Sequence, residues 1–183
     1  MRMCLFATLL VLSTYAFSQD GNPPWMETGW CDYHYSDNEQ PPSRMNIPAW
    51  VCEASYKQGL QGRYSPNTHM NPFFVSGDFD ADGRTDIALW VRDKEGKLGI
   101  LFLRQGRKGY FIAGAGSNTS DRGDDLSYVD IWSVISKGEV LDSHWEDKKI
   151  KLRGDAVLIE KSESSAIAIY WNGKSFSFYQ LTD

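Results

Sequence analysis

The sequence predicts a mainly β protein, built as a compact antiparallel sheet or two packed sheets with one short N-terminal helix. Short runs rich in β-branched and aromatic residues follow one another from residue 73 onward, and Gly-containing turns separate them. No helical run lies between these strands, so sequence neighbours are expected to pair antiparallel. Asn172-Gly173 stands between the last two runs and gives the strongest hairpin signal in the chain.

The predicted elements begin with one helix over residues 47–60, because Pro48 suits a first helical turn and Gly59 suits a helix end. Residues 129–135 are apolar and fit either a strand or a helical turn. Residues 114–125 are rich in Gly, Asp, Ser and Asn and are predicted to form a loop. The other β-prone runs are predicted strands at residues 71–75, 87–91, 99–103, 110–113, 149–152, 156–160, 166–171 and 175–180.

Residues 1–18 have the pattern of a secretory signal peptide. Arg2 supplies a positive charge, the stretch from Met3 to Phe17 is uncharged and mostly apolar, and Ala16-Phe17-Ser18 is a small-x-small cleavage signal. We therefore predict a mature chain that begins at Gln19 and is periplasmic or secreted, with no membrane insertion after cleavage. An uncleaved membrane anchor is the alternative.

The cysteines fit an oxidising compartment. Cys4 leaves with the signal peptide, and an even number of cysteines, Cys31 and Cys52, remains in the mature chain. A Cys31–Cys52 disulfide is therefore predicted, and closing a loop of ~20 residues stabilises a fold by about 3 kcal/mol. Two free thiols are the alternative.

The mature chain fits one domain preceded by an extended arm. Residues 19–46 are rich in Pro, Asp, Asn and aromatic residues and lack a hydrophobic period, which is typical of an arm. Residues 47–183 form the predicted β-rich domain. The net charge of −5 becomes −6 without Arg2, the only charged residue in 1–18, and this acidic balance disfavours nucleic acid and anionic membranes as partners.

One short segment carries the clearest functional signal: residues 77–86, with the sequence Gly-Asp-Phe-Asp-Ala-Asp-Gly-Arg-Thr-Asp. Its carboxylates repel one another unless a cation neutralises them. The spacing of the first three aspartates, followed by Gly, is the one with which an EF-hand loop folds side chains onto Ca²⁺. A solvated Asp/Gly turn without an ion is the alternative. The predicted ligands in the loop 78–86 are the carboxylates of Asp78, Asp80, Asp82 and Asp86 and the main-chain oxygen of Arg84.

The segments beside this loop are β-prone runs rather than EF-hand helices, and loop position 12 is Leu89, where an EF-hand has Glu. A calcium loop between two strands resembles the FG-GAP (VCBS-type) repeat of integrin-type β-propellers and related bacterial secreted proteins. The resemblance spans about residues 73–105. It implies a structural Ca²⁺ at a strand–strand connection.

The rest of the chain departs from that family. The Phe-Gly and Gly-Ala-Pro elements of the repeat are absent around the loop, and Leu89-Trp90-Val91 stands where the second is expected. The aspartate loop occurs once, whereas a propeller needs roughly four or more blades of four strands. We therefore expect one calcium-loop hairpin in a compact β fold and not a full propeller.

Aromatic residues in polar, loop-like stretches are candidates for partner binding, because they bury a large area and lose few rotamers. The alternative is that the arm wraps the domain and inserts its rings as plugs. The candidate residues are Trp25, Trp30, Tyr33, Tyr35 and Trp145.

No catalytic motif stands out in the sequence. The three histidines form no zinc-ligand pair, and the chain has no Gly-x-Ser-x-Gly elbow and no phosphate-binding Gly loop. The sequence therefore favours an exported, calcium-stabilised, non-catalytic binding module with a protein or glycan partner. A periplasmic inhibitor or immunity-type protein, and a secreted hydrolase with structural calcium, are the alternatives.

Overall fold

The computed structural model describes residue 30, residues 47–118 and residues 123–182. The predicted signal peptide, most of the predicted arm and four of the singled-out residues lie outside the described residues. Those four are Trp25, Cys31, Tyr33 and Tyr35.

One helix and eleven strands make up the described part of the chain, and every strand pair is antiparallel. Residues 129–135, which fitted two interpretations, contain a strand. The elements are α1 (Ala49–Lys57), β1 (Tyr64–Pro66), β2 (Phe74–Gly77), β3 (Asp86–Asp93), β4 (Leu98–Leu103), β5 (Tyr110–Gly114), β6 (Ile131–Ile135), β7 (Val140–Leu141), β8 (Ile150–Lys151), β9 (Ala156–Glu160), β10 (Ala166–Trp171) and β11 (Phe176–Thr182).

The strands form two main sheets and one two-stranded ribbon. In the first sheet β3 is central: it pairs with β4 along one edge, and along the other edge with β2 at its start and β1 at its end. The second sheet has the order β11-β10-β9-β6, and β7 pairs with β8 in the ribbon. The predicted mainly β class is confirmed, and the described residues form neither a closed barrel nor a propeller.

The main core lies between the two sheets. Because side chains alternate along a strand, Ala88 and Trp90 of β3 point to the same face, and both pack in a cluster with residues of the second sheet. The Trp90 ring meets Trp132 of β6 edge to face, with 5.6 Å between ring centroids. These contacts hold the two sheets face to face.

The outer face of the first sheet is covered by α1. Ile87 and Leu89 of β3 belong to a second cluster with Val51 and Cys52 of the helix. Burial of both faces explains why β3 is a continuous apolar run rather than an alternating one. No helix in residues 47–118 and 123–182 is long and apolar enough to span a membrane.

The ribbon covers the outer face of the second sheet. Leu141 of β7 and Leu152, just after β8, pack with Ala168 and Tyr179 of the last two strands. The described chain is thus layered as helix, first sheet, second sheet and ribbon. This order leaves the β2–β3 connection at an end of the sandwich, beside the start of β9.

Candidate metal centre

The predicted calcium loop connects β2 to β3. Gly77 at the end of β2 pairs with Asp86 at the start of β3, so the ladder of the first sheet holds both ends of the loop together. Short loops between paired strands have little freedom, and this pairing brings the first and last aspartates of the loop close in space. The loop therefore joins two paired strands, as the sequence predicted, and its binding of calcium stays a prediction.

Inside the loop, aspartate side chains fold the main chain. Asp80 Oδ1 accepts the N–H of Asp82 at 3.2 Å, and Asp82 Oδ1 accepts the N–H of Arg84 at 3.0 Å. These are Asx turns, which mimic main-chain turns. Gly83 has φ +83°, a left-handed conformation that glycine adopts without a steric penalty.

Three of the carboxylates converge. Asp78, Asp80 and Asp86 each offer an oxygen, and these oxygens lie within 4.8 Å of one another. Asp80 and Asp86 are buried, at 9% and 1% exposure. Three negative groups this close in a partly buried loop repel one another strongly, so the arrangement favours a bound cation.

Asp78 contributes an oxygen that has no hydrogen-bond partner among the residues that the structure describes. Its Oδ1 is buried and accepts no hydrogen bond from the described residues. Its Oδ2 lies 4.0 Å from Lys137 Nζ, at the limit of an ion pair. A buried acceptor without a donor costs about 1–3 kcal/mol, more when charged, and a coordinated cation would satisfy it.

Asp86 is fixed by three main-chain donors. Its Oδ2 accepts the N–H groups of Phe79 at 3.1 Å and Asp80 at 3.3 Å, and its Oδ1 accepts that of Gln105 at 2.8 Å. Burial raises the pKa of the Asp86 carboxyl to about 6, the Gln105 N–H opposes this rise, and the charge of Asp80 adds to it. The site therefore holds a carboxylate whose charge burial disfavours.

Asp80 is in a similar situation. Burial raises the pKa of its carboxyl, and the neighbouring charge of Asp82 raises it further, whereas Arg104 lowers it. A cation at the loop would favour the charged form of both buried carboxyls.

The donor set fits a hard cation. The converging group is made of carboxylate oxygens, with no histidine or cysteine among the described residues that form it. Oxygen-only sets suit Ca²⁺ and Mg²⁺, and softer metals prefer nitrogen and sulfur. The spacing of the aspartates is that of a calcium loop, and Ca²⁺ tolerates irregular shells of six to eight oxygen ligands, whereas Mg²⁺ demands a near-ideal octahedron.

Asp82 does not lie in the converging group. Its Oδ2 accepts a hydrogen bond from Arg107 Nε at 3.1 Å. Desolvation alone would raise the pKa of the Asp82 carboxyl. The hydrogen bond from the Arg84 N–H and the Arg107 guanidinium outweigh this effect, so the pKa is lowered. The calcium-ligand roles of Asp82 and of the Arg84 main-chain oxygen stay predictions.

Sequence reasoning missed the residues that hold the loop from outside. Asp155, which immediately precedes β9, accepts the N–H of Asp78 at 2.8 Å and the N–H of Lys137 at 2.8 Å. At Gly154 an added Cβ would lie 2.4 Å from the main-chain oxygen of Asp78. Arg104 and Arg107, in the turn between β4 and β5, were also missed. No local pattern marks these residues, because each meets the loop through tertiary packing.

The aromatic candidates divide between core and surface. Trp30 is 4% exposed, and its indole N–H donates to the main-chain oxygen of Tyr64 at 2.9 Å, so it fits the plug interpretation. Trp145, in the connection between β7 and β8, is 51% exposed and stays a candidate for partner binding.

Cys52 is fully buried in the same cluster as Trp30. The Cys31–Cys52 bridge stays a prediction, because Cys31 lies outside the described residues.

Comparison with protein-family models, curated proteins and solved structures finds no match to this chain.

Proposed function

We propose that this protein is an exported, calcium-stabilised, non-catalytic binding module. The observation that supports the calcium part is the convergence of Asp78, Asp80 and Asp86, together with the buried Asp78 Oδ1, which has no donor within residues 47–118 and 123–182. Export to the periplasm or the exterior rests on the sequence of residues 1–18. Calcium is abundant outside the cytosol, so a weak extracellular-type site is sufficient there.

In this proposal the residues of the loop act structurally. Asp78, Asp80 and Asp86 would hold Ca²⁺, which supplies two positive charges where burial disfavours carboxylates. Asp155 ties the first residue of the loop to β9 of the second sheet. Fixing the loop therefore supports the junction of the two sheets as well as the β2–β3 hairpin.

The partner in this proposal is a protein or a glycan. Trp145 supports this part because it exposes half of a large, rigid ring on a polar connection, next to His144, whose ring lies 4.9 Å away between centroids. The acidic net charge disfavours nucleic acid.

Two measurements test the proposed function. Thermal unfolding of chelator-treated protein should shift upward with millimolar Ca²⁺ and less with Mg²⁺, because Mg²⁺ demands a near-ideal octahedral shell. Binding to glycan arrays and to an extract of the exported proteins should weaken in Trp145→Ala and persist in Tyr56→Ala, a matched variant at another exposed ring. If the purified protein hydrolyses peptidoglycan or a polysaccharide, the proposal of a non-catalytic binding module is wrong, and the alternative of a secreted hydrolase is favoured.

A further inference from the structure

The turn between β4 and β5 places two arginines against the aspartate loop. Arg107 Nε lies 3.1 Å from Asp82 Oδ2 and 3.9 Å from Asp80 Oδ2, and Arg104 Nη1 lies 3.7 Å from the same Asp80 oxygen. Two positive groups therefore already face the carboxylates at the third and fifth loop positions.

The two arginines are held differently. Arg104 is mostly buried, at 21% side-chain exposure; its guanidinium lies 5.2 Å from the centroid of the Trp171 ring, and its Nη2 donates to the Lys108 main-chain oxygen at 3.5 Å. Arg107 is 53% exposed, and among the described residues its side chain donates hydrogen bonds only to Asp82. Arg107 is thus the arginine that can leave the loop at little cost, since exposed ion pairs contribute little.

Resting on the proposed calcium function, we infer that Arg107 and Ca²⁺ compete for the Asp82 carboxylate. The loop spacing assigns Asp82 to the fifth position of a calcium loop, yet its Oδ2 is paired with Arg107 and it lies outside the converging group. Both oxygens of the Asp82 carboxylate already accept a hydrogen bond, Oδ1 from the Arg84 N–H and Oδ2 from Arg107 Nε. A calcium ion bound to Asp82 would therefore lie close to the Arg107 guanidinium, and repulsion between the two positive charges favours release of Arg107.

This competition gives the Arg107 charge two opposite effects on the loop. Arg107 offsets part of the carboxylate repulsion when calcium is scarce, and the same charge weakens calcium binding when calcium is present. Arg104 should stay in place in both situations, because it is mostly buried and is also held by the Trp171 ring and the Lys108 main-chain oxygen.

Calorimetric titration of chelator-treated protein with CaCl₂ tests the inference on wild type, Arg107→Gln and Lys108→Gln. Lys108 is the matched control: it is the next residue, it carries the same charge, it is exposed, and no ion pair joins it to a described residue. Arg107→Gln should tighten Kd by roughly threefold to tenfold, the range for removing one partly screened charge beside a divalent ion, and should lower the calcium-free melting temperature. Lys108→Gln should change Kd by less than about twofold and the calcium-free melting temperature by less than about one degree, since the Lys108 charge makes no ion pair with the loop and is screened by solvent.

The outcomes separate this inference from the proposed function. Calcium binding by wild type with equal Kd in Arg107→Gln overturns the competition and leaves the calcium site standing. Equal tightening in Arg107→Gln and Lys108→Gln also overturns it, since a general field would then explain both. No binding by wild type but clear binding by Arg107→Gln supports it in its strongest form, and no binding by either protein overturns both proposals.

Discussion

Asp78 and Asp155 exchange two hydrogen bonds, although 77 positions separate them in the sequence. The N–H of Asp78 donates to Asp155 Oδ2 at 2.8 Å, and the N–H of Asp155 donates to the main-chain oxygen of Asp78 at 2.8 Å. Asp155 Oδ1 accepts in addition the N–H of Lys137, which follows β6. The first residue of the aspartate loop is therefore attached to the second sheet. A substitution at Asp78 or at Asp155 should change the conformation of both the loop and the start of the second sheet.

Gly154→Ala tests this attachment. The new Cβ would lie 2.4 Å from the Asp78 main-chain oxygen and 2.9 Å from the Ala81 nitrogen, so the main chain must shift, and we expect a loss of roughly 1–3 kcal/mol in unfolding free energy. Gly62→Ala is the matched control, because an added Cβ there meets nothing within 4 Å. Urea unfolding measures both variants. Equal stability of the two would mean that the contact between Gly154 and the loop does not matter.

Asp80→Ala should remove the stabilisation by calcium, because alanine offers no side-chain oxygen at this position of the loop. The ion binds the native state only, so saturating wild type at one hundred times Kd should contribute about 2.7 kcal/mol, and the variant lacks one of the three converging carboxylates. Without calcium the substitution should change the melting temperature little, because relief of burial and repulsion offsets loss of the Arg104 pair. Melting curves with and without calcium measure this difference.

Asp147→Asn is the control for the loss of one negative charge. Asp147 is exposed, and no hydrogen bond or ion pair joins it to another of the residues that the structure describes. Its calcium response should equal that of wild type. If both variants lose the response to the same degree, the calcium effect comes from diffuse acidity and not from the loop.

The strands of the two sheets could be predicted because their signals are local. The run Ile87–Val91 is apolar and β-branched, and Asn172-Gly173 gives the hairpin between β10 and β11. β1 and β7 were missed, since Tyr64–Pro66 and Val140–Leu141 are too short to show a period.

The candidate site was predictable only in its own loop. The spacing of the aspartates and Gly83 is a local property and pointed to the β2–β3 connection. Asp155 and Arg107 reach that loop from separate turns, and their positions depend on how the sheets and hairpins pack. Spacing alone also cannot distinguish Asp82, held by Arg107, from the aspartates that converge.

Acid should lower the free energy of unfolding of the protein partly through protonation of Asp130. The Lys161 ammonium, and after it the Ser162 N–H, hold the pKa of the Asp130 carboxyl at about 2, below its ordinary value of 3.8. A depressed pKa stabilises the fold above about pH 4, and this contribution is lost as the pH falls from about 4 to about 2. Asp130→Asn should therefore be less stable than wild type at pH 7, and the difference should vanish near pH 2. Unfolding midpoints measured across this range test it, and a constant difference at every pH would contradict it.

The predicted Cys31–Cys52 bridge has a simple chemical test. In the mature protein, reduction should raise the intact mass by about two hydrogens, one per sulfur of a single bridge. Loss of the bridge should lower stability by about 3 kcal/mol, because the link restrains the unfolded chain, and it joins the arm to Cys52 on the buried face of α1. Two thiols that react with an alkylating agent in the unreduced, unfolded protein would show that the bridge is absent.

We expect the β2–β3 loop to bind one calcium ion. Calorimetric titration of chelator-treated wild-type protein with CaCl₂ tests it most directly. We expect a single site per chain with Kd in the weak extracellular range, roughly 10⁻⁴ to 10⁻³ M or somewhat tighter, and loss of the heat of binding in Asp78→Asn. No heat of binding up to several millimolar calcium, or an unchanged site in Asp78→Asn, would contradict it.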